Sequence, residues 1–239
     1  MIQKRAFFIF IIVPQLIFAQ NSVAIINNYI DSTGGHENWR KIKSMYLQNQ
    51  SFYEDPYNES VSPKLLNKFD YLNRIFRKWY PDKQKTETYK GGVLKLERYC
   101  LGQSSYLVLP HMKPMPSLFP NYYHLHPKEF HELINRGETG SFKFMGTKKI
   151  RNKSYYVVQI PLNNIVMNYY FNKQSMLLEY AYFLHEEYRF IKYEDYRQIN
   201  GVKLPFRTTI SNEGIVYFEG QTTKIEFNIE IEDSVFEFQ

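Results

Sequence analysis

The chain has 239 residues, of which 18% are aromatic, and its 30 Lys and Arg exceed its 24 Asp and Glu by six charges. This length suits one β-rich domain and aromatic side chains favour pleated surfaces, so we predict a mainly β protein. The basic stretches 74–78 and 148–153 are interleaved with apolar residues like ordinary solvated strands and turns, which argues against nucleic acid as a partner.

The first 20 residues have the layout of a secretory signal peptide. Lys4 and Arg5 precede a broken apolar run, and Ala19 offers a small residue for cleavage. The rival interpretation is a transmembrane anchor, but the uninterrupted run is too short to span hydrocarbon. We predict a signal peptide at 1–20, a periplasmic location, no lipid anchor at the cleavage point, and one domain over 21–239. Cleavage would lower the formal charge from +6 to +4.

A short amphipathic helix is predicted to follow the signal. Ser22 suits its N-cap, and Gly34-Gly35 suits its end. Its apolar positions recur at helical spacing: Val23, Ile26, Tyr29 and Ile30. The large side chain of Trp39 is predicted to pack this helix onto a sheet.

From Ser44 onward the pattern indicates consecutive antiparallel strands with short links. Strands are predicted at 45–53, 64–72, 74–79, 93–99 and 105–109. The only cysteine, Cys100, cannot form an intramolecular disulfide, and its apolar neighbours predict an inert buried thiol.

Four prolines interrupt this pattern between 110 and 126. Proline removes ladder donors and stops helices and strands, so we predict a loop there. Its apolar side chains could cover the mouth of a pocket, and they make it a candidate lid: Met112, Met115, Leu118 and Phe119.

A second helix is predicted at 128–136, with Pro127 at its first position and Phe130, Leu133 and Ile134 on its inner face. Further strands are predicted at 142–150, 155–162, 165–171, 176–185, 188–196, 202–210 and 215–227. Asn200-Gly201 is a strong hairpin signal. The strand over 176–185 carries apolar residues on both sides, so both of its faces should be covered.

A histidine cluster offers the one candidate metal site. His124 and His126 would point the same way on an extended segment, and His131 could complete a zinc site from the following helix. No carboxylate has the spacing of a known metal-hydrolase motif, so hydrogen bonding is the favoured interpretation. With no nucleophile elbow and no nucleotide-binding glycine loop, we predict no enzyme and no cofactor; a metal-dependent enzyme is kept as an alternative.

Two stretches of the sequence resemble LolA-like proteins, the outer-membrane lipoprotein-sorting family of Bacteroidota within the superfamily of periplasmic lipoprotein carriers and receptors. The N-terminal stretch contains Tyr29-Ile30, Gly34-Gly35, Trp39 and Ile42-Lys43-Ser44. The C-terminal stretch contains Tyr170-Phe171-Asn172, Leu177-Leu178-Glu179, 193–197, 200–205 and Phe227-Asn228. The resemblance implies an incomplete antiparallel barrel that curls around two short helices and accepts acyl chains between sheet and helices. It also implies exchange with inner-membrane donor and outer-membrane acceptor proteins.

The strands near these motifs supply a candidate wall for such a cavity. It is predicted to consist of Met167, Tyr169, Leu178, Tyr180, Tyr182, Leu204, Phe206 and Ile210. We therefore predict a periplasmic carrier of lipid or lipoprotein acyl chains. The alternative is a non-catalytic interaction module of the envelope, whose core is filled by these same side chains.

Overall fold

A computed structural model describes residues 22–53, 70–102, 104–117, 127–162, 165–183, 189–212 and 214–238. The predicted signal peptide, the side chains of Leu118 and Phe119, and both His124 and His126 lie outside these residues. The described part is mainly β, as the sequence predicts.

Thirteen strands are described, six before the last α-helix and seven after it. The first six are β1 Ser44–Tyr53, β2 Tyr71–Trp79, β3 Asp82–Lys90, β4 Val93–Leu101, β5 Ser104–Val108 and β6 Met115–Pro116. The others are β7 Lys143–Ile150, β8 Lys153–Leu162, β9 Ile165–Asn172, β10 Leu178–Phe183, β11 Arg189–Ile199, β12 Val202–Asn212 and β13 Ile215–Phe227.

The strands form one sheet in the order β6-β5-β4-β3-β2-β1-β13-β12-β11-β10-β9-β8-β7. The described ladders are antiparallel. The end strands β6 and β7 are not neighbours in this order, so the described sheet is not closed into a barrel. This confirms the predicted open antiparallel sheet.

Three short α-helices accompany the sheet: α1 at 22–32, α2 at His36–Lys41 and α3 at Pro127–Asn135. Pro127 opens α3 as predicted, since proline lacks an N–H that the first turn could not use. A 3-10 helix, Asp233–Phe236, follows β13. Of the described helices, none has the length and apolar character needed to cross a bilayer.

The contacts group the chain into two compact units. The first takes its described residues from Met1–Trp39, Leu125–Lys192 and Gly201–Leu204. The second takes them from Arg40–His124, Tyr193–Asn200 and Pro205–Gln239. The single domain over 21–239 stays a prediction.

The sequence analysis missed two strands, β3 and β6, and divided another. β3 was not predicted, because its sequence is mostly charged and polar and shows no apolar alternation. β2 runs unbroken through Tyr71–Trp79, where two strands were predicted. The two-residue strand β6 also lies within the predicted proline loop, and Pro116 is tolerated there at the edge of the sheet.

The two sequence motifs that carry the family resemblance meet in the first unit. Asn200 and Gly201 both have positive φ, 48° and 84°, as the predicted hairpin requires. The backbone N–H of Lys203 donates to the carbonyl of Thr33 at 2.8 Å. A Cβ added to Gly34 would lie 2.5 Å from the carbonyl oxygen of Gly201. The end of α1 therefore rests directly on the β11–β12 hairpin because position 34 is glycine.

We expect Gly34→Ala to lower the free energy of unfolding by roughly 2–4 kcal/mol, because it adds a backbone clash to an unfavourable φ of 126°. Gly35→Ala is the matched control. Gly35 also has positive φ, at 81°, but a Cβ there would meet nothing within 4 Å, so about 1 kcal/mol is expected. Urea unfolding of both variants measures the difference, and equal losses would contradict the close approach.

Candidate functional site

One face of the sheet in the first unit is covered by helices. Cross-strand pairing places Met167, Tyr169 and Phe171 of β9 on this face. The ring of Phe130, from α3, lies 5.3 Å from the ring of Tyr169 and 6.0 Å from that of Phe171. Tyr29, from α1, lies 5.6 Å from Phe130 and 5.2 Å from Phe171. Edge-to-face packing of these rings fills the space between helices and sheet.

The predicted wall residues on this face are core residues. Met167, Tyr169 and Leu178 are at most 1% exposed. Leu204, in β12, is 2% exposed. The Tyr169 hydroxyl donates to the sulfur of Met167 at 3.3 Å, and complete burial raises the pKa of Tyr169. Tyr169 thus packs against an aromatic ring of the protein itself, that of Phe130.

The predicted grouping of the β10 residues on one face is wrong. Leu178 pairs with Phe171, but Tyr180 pairs with Tyr170, so the register shifts by one residue around Glu179. An inserted residue of this kind turns all later side chains to the other side of the sheet. Tyr180 and Tyr182 consequently lie on the face opposite Met167 and Tyr169.

That opposite face carries its own aromatic cluster. Tyr180 lies 5.5 Å from the ring of Tyr155 and 4.9 Å from that of Phe190. Tyr155 and Tyr170 are buried there, while Tyr180 and Tyr182 are half-buried. Both faces of β10 are therefore covered by apolar packing, as its two-sided sequence pattern predicts.

The second unit presents a different surface, which we call the apolar face. Its members lie on the same side of β1, β2, β12 and β13: Leu47, Ile75, Phe206, Ile210, Phe218 and Ile225. Leu47 pairs directly with Ile75 on one side and Ile225 on the other. Ile75, Ile210 and Ile225 remain half-buried rather than buried. Two residues of the predicted wall, Phe206 and Ile210, belong to this face.

Within the described second unit, no helix packs on the apolar face. The described part of the second unit contains the end of α2 and, as its only other helical segment, the 3-10 helix. Phe236 of that helix lies 5.7 Å from Nζ of Lys78 and 5.9 Å from Nζ of Lys83, on the opposite face. The apolar face is therefore mainly aliphatic, with Leu47, Phe206 and Phe218 buried and the three isoleucines half-buried.

A polar row crosses the same side of the sheet next to Leu47 and Ile75. The Asn73 side chain donates to the side-chain oxygen of Asn49 at 2.8 Å and to the Ser51 hydroxyl at 2.6 Å, and it accepts from the Thr88 hydroxyl at 2.8 Å. Asn73 and Ser51 are buried. Because these bonds use both N–H donors and the oxygen of the Asn73 amide, the row stiffens the sheet and bounds the apolar face.

The other end of the apolar face is shaped by glycine and arginine. A Cβ at Gly220 would lie 2.9 Å from the ring of Phe218, so the ring lies across this glycine. The guanidinium of Arg197 lies 4.7 Å from the ring of Phe206. Asp195 holds that guanidinium by bonds of 3.0 and 2.6 Å, and this pairing lowers the pKa of Asp195.

The predicted lid is only partly described. Met112 is 52% exposed, and Met115 is half-buried in β6, where it pairs with Leu107. Leu118 and Phe119 lie outside the described residues, so the lid stays a prediction. Cys100 is buried, as expected, and its thiol donates to the Ser105 hydroxyl at 3.5 Å.

His131 has protein partners on both ring nitrogens. Asn135 donates to its Nε2 at 2.8 Å, which places the proton of a neutral ring on Nδ1. Nδ1 lies 2.9 Å from Nδ1 of His36, whose Nε2 lies 3.1 Å from the Asn27 oxygen. These hydrogen bonds link α1, α2 and α3, and the spacing of the residues in the sequence could not have predicted them.

The described residues contain no group of three or more metal-ligating His, Cys, Asp or Glu side chains. Since His124 and His126 lie outside them, the metal site stays untested.

Comparison with solved structures identifies the fold. A crystal structure of a LolA superfamily protein from Nitrosomonas europaea matches with a TM-score of 0.62, covering 90% of this chain and 96% of that one at 11% identity. A DUF1329 family protein from Desulfovibrio piger matches with a TM-score of 0.61, covering 92% and 97% at 8% identity. No protein-family model and no curated protein matches the sequence. The chain therefore has a LolA-like fold, and membership of the sorting family stays a prediction.

Proposed function

We propose that this protein binds an acyl chain of a lipid or lipoprotein on the apolar face and carries it through the bacterial periplasm towards the outer membrane. The apolar face is the observation that carries the proposal, because a LolA-like sheet here presents half-buried aliphatic side chains, and no described helix of the same unit packs on them. The signal-peptide pattern and the family resemblance support the periplasmic location and the exchange with donor and acceptor proteins.

The row Ile225, Leu47 and Ile75 gives the acyl chain a defined path. These residues lie directly opposite one another on three neighbouring strands. Strands are spaced by roughly 4.8 Å, so the row is about 10 Å long, shorter than a long fatty chain. Binding would therefore bury only part of the chain.

Partial burial suits a carrier. Each buried methylene contributes roughly 0.8 kcal/mol, so complete burial of a palmitoyl-length chain would contribute about 12 kcal/mol before any cost. A chain held that strongly would leave slowly. A shorter contact along the apolar face gives an affinity that an acceptor can overcome.

The second candidate function is the interaction module with a self-filled core. The four rings of Tyr29, Phe130, Tyr169 and Phe171 favour it, because they occupy the helix-covered face where the resemblance implies an acyl chain. A module would bind no lipid on either face.

A fluorescent fatty acid distinguishes the two candidates. We expect the wild-type protein to bind the probe. The single variants Ile75→Glu and Ile225→Glu should each weaken binding by about tenfold or more, since the new carboxylate would have to be desolvated beside the acyl chain. Gln50→Glu is the matched control, with one added charge on the opposite side of β1. Fluorescence titration measures the dissociation constants.

Circular dichroism establishes that each variant is folded. Absence of probe binding by the wild-type protein would favour the interaction module. Binding that is equal in the control and in the isoleucine variants would place the acyl chain elsewhere on the protein.

A further inference from the structure

Five cations gather where two hairpin turns lie side by side in the first unit. β8 pairs with both β7 and β9, and the N–H of Lys173 donates to the Ser154 carbonyl at 2.9 Å, so the β7–β8 and β9–β10 turns are neighbours. Their exposed cations, which we call the basic tip, are Lys148, Lys149, Arg151, Lys153 and Lys173.

The basic tip has one carboxylate partner among the described residues. Glu179 receives bonds from Lys153 at 2.9 and 3.0 Å. Burial alone would raise the pKa of Glu179, but bonds from Lys153, Tyr155 and Asn172 outweigh burial and lower it. Glu179 is thus a carboxylate turned inward, with 18% of its side chain exposed, while the cations point outward.

Aromatic rings support two of the remaining cations. Nζ of Lys173 lies 4.9 Å from the ring of Tyr156, and Nζ of Lys148 lies 5.9 Å from the ring of Tyr170. Such contacts hold the alkyl stems against the sheet and leave the ammonium groups in water. The positive charge is consequently fixed in place at the tip.

The cations surround the tip instead of lining one groove. Register places Lys148 and Lys153 on one side of the β7–β8 hairpin and Lys149 on the other, with Arg151 at the turn. Half-buried Ile150, Met176 and Leu177 lie in or beside the two turns. The basic tip thus has positive charge on all sides and half-buried apolar side chains between the cations. These properties suit a broad anionic surface that also accepts apolar contacts.

We propose that the basic tip docks on bilayers rich in anionic lipid. The basic tip shares no residue with the apolar face, so the inference goes beyond acyl-chain binding and does not depend on it. Docking would hold the protein at a membrane through lipid head groups. An acidic groove of a protein or a nucleic acid would bind one side of the tip, and these remain alternative outcomes of the test.

The test is sedimentation of the mature chain with phosphatidylcholine vesicles that contain about one-third phosphatidylglycerol. The tip variant neutralises four cations: Lys148→Gln, Lys149→Gln, Arg151→Gln and Lys173→Gln. Each cation near an anionic surface contributes roughly fivefold to binding at low salt, so we expect a loss of more than a hundredfold. The control variant removes the same charge elsewhere: Lys41→Gln, Lys43→Gln, Lys95→Gln and Lys113→Gln.

Three results support the proposal together. The control variant keeps most of the binding, pure phosphatidylcholine vesicles bind weakly, and binding falls as the Debye length shrinks from roughly 10 Å at 0.1 M salt to 3 Å at 1 M. Equal losses in the two variants would overturn it. So would tip-dependent binding to heparin or DNA without binding to vesicles. Fatty-acid binding by the tip variant should be unchanged, which separates this proposal from the proposed function.

Discussion

Phe130→Ala is expected to lower the free energy of unfolding by about 3–5 kcal/mol. Phe130 has no exposed surface, and its ring lies within 6.0 Å of three others, from Tyr29, Tyr169 and Phe171. Truncation removes these contacts and leaves a cavity that two helices and a sheet cannot fill without moving. Urea unfolding followed by tryptophan fluorescence and by circular dichroism measures the loss.

The matched control is Ile134→Ala on the same helix. Ile134 is half-buried, so its loss should cost about 1 kcal/mol. Fatty-acid binding by folded Phe130→Ala adds a second measurement. If the acyl chain binds on the apolar face, its affinity is unchanged; tighter binding would mean that the acyl site lies under the helices.

The sequence predicted the type and order of most elements because their signals are local. Pro127 and the apolar residues after it predicted α3, and Asn200-Gly201 predicted a hairpin whose two turn residues have the required positive φ. The alternation of apolar and polar residues from Val202 to Ile210 predicted the long strand β12. Signals of this kind depend on residues close together in the chain, so one sequence suffices to read them.

The candidate wall could not be predicted with the same success. One inserted residue, Glu179, reverses the side on which Tyr180 and Tyr182 lie, and nothing in the local sequence marks that insertion. Met167 and Tyr169 lie on the helix-covered face because α1 and α3 pack there. Both helices lie far from β9 in the chain. Long-range packing of this kind leaves no periodic pattern.

β3 was missed for a related reason. Lys85, in this strand, is buried in the second unit, although lysine is normally found exposed. Nζ of Lys85 lies 2.8 Å from Glu97 and 3.1 Å from Glu87, and 5.3 Å from the ring of Tyr99. Burial alone would lower the pKa of Lys85, but hydrogen bonds to the carboxylates of Glu97 and Glu87 outweigh burial, so the pKa is raised. An ion cluster therefore takes the place of apolar alternation in this strand.

Lys85→Met should lower the free energy of unfolding by about 3–5 kcal/mol, because it leaves two carboxylates with side chains only 11% and 15% exposed and without their shared cation. Lys83→Met is the control on the same face of β3: Lys83 is 27% exposed, its partner Asp233 is 64% exposed, and a change below about 1 kcal/mol is expected. Adding Glu97→Gln to Lys85→Met should restore part of the loss, since it removes one of the stranded charges. Urea unfolding of the single and double variants measures these terms. A double variant no more stable than Lys85→Met would show that the loss comes from packing of the lysine stem and not from charge.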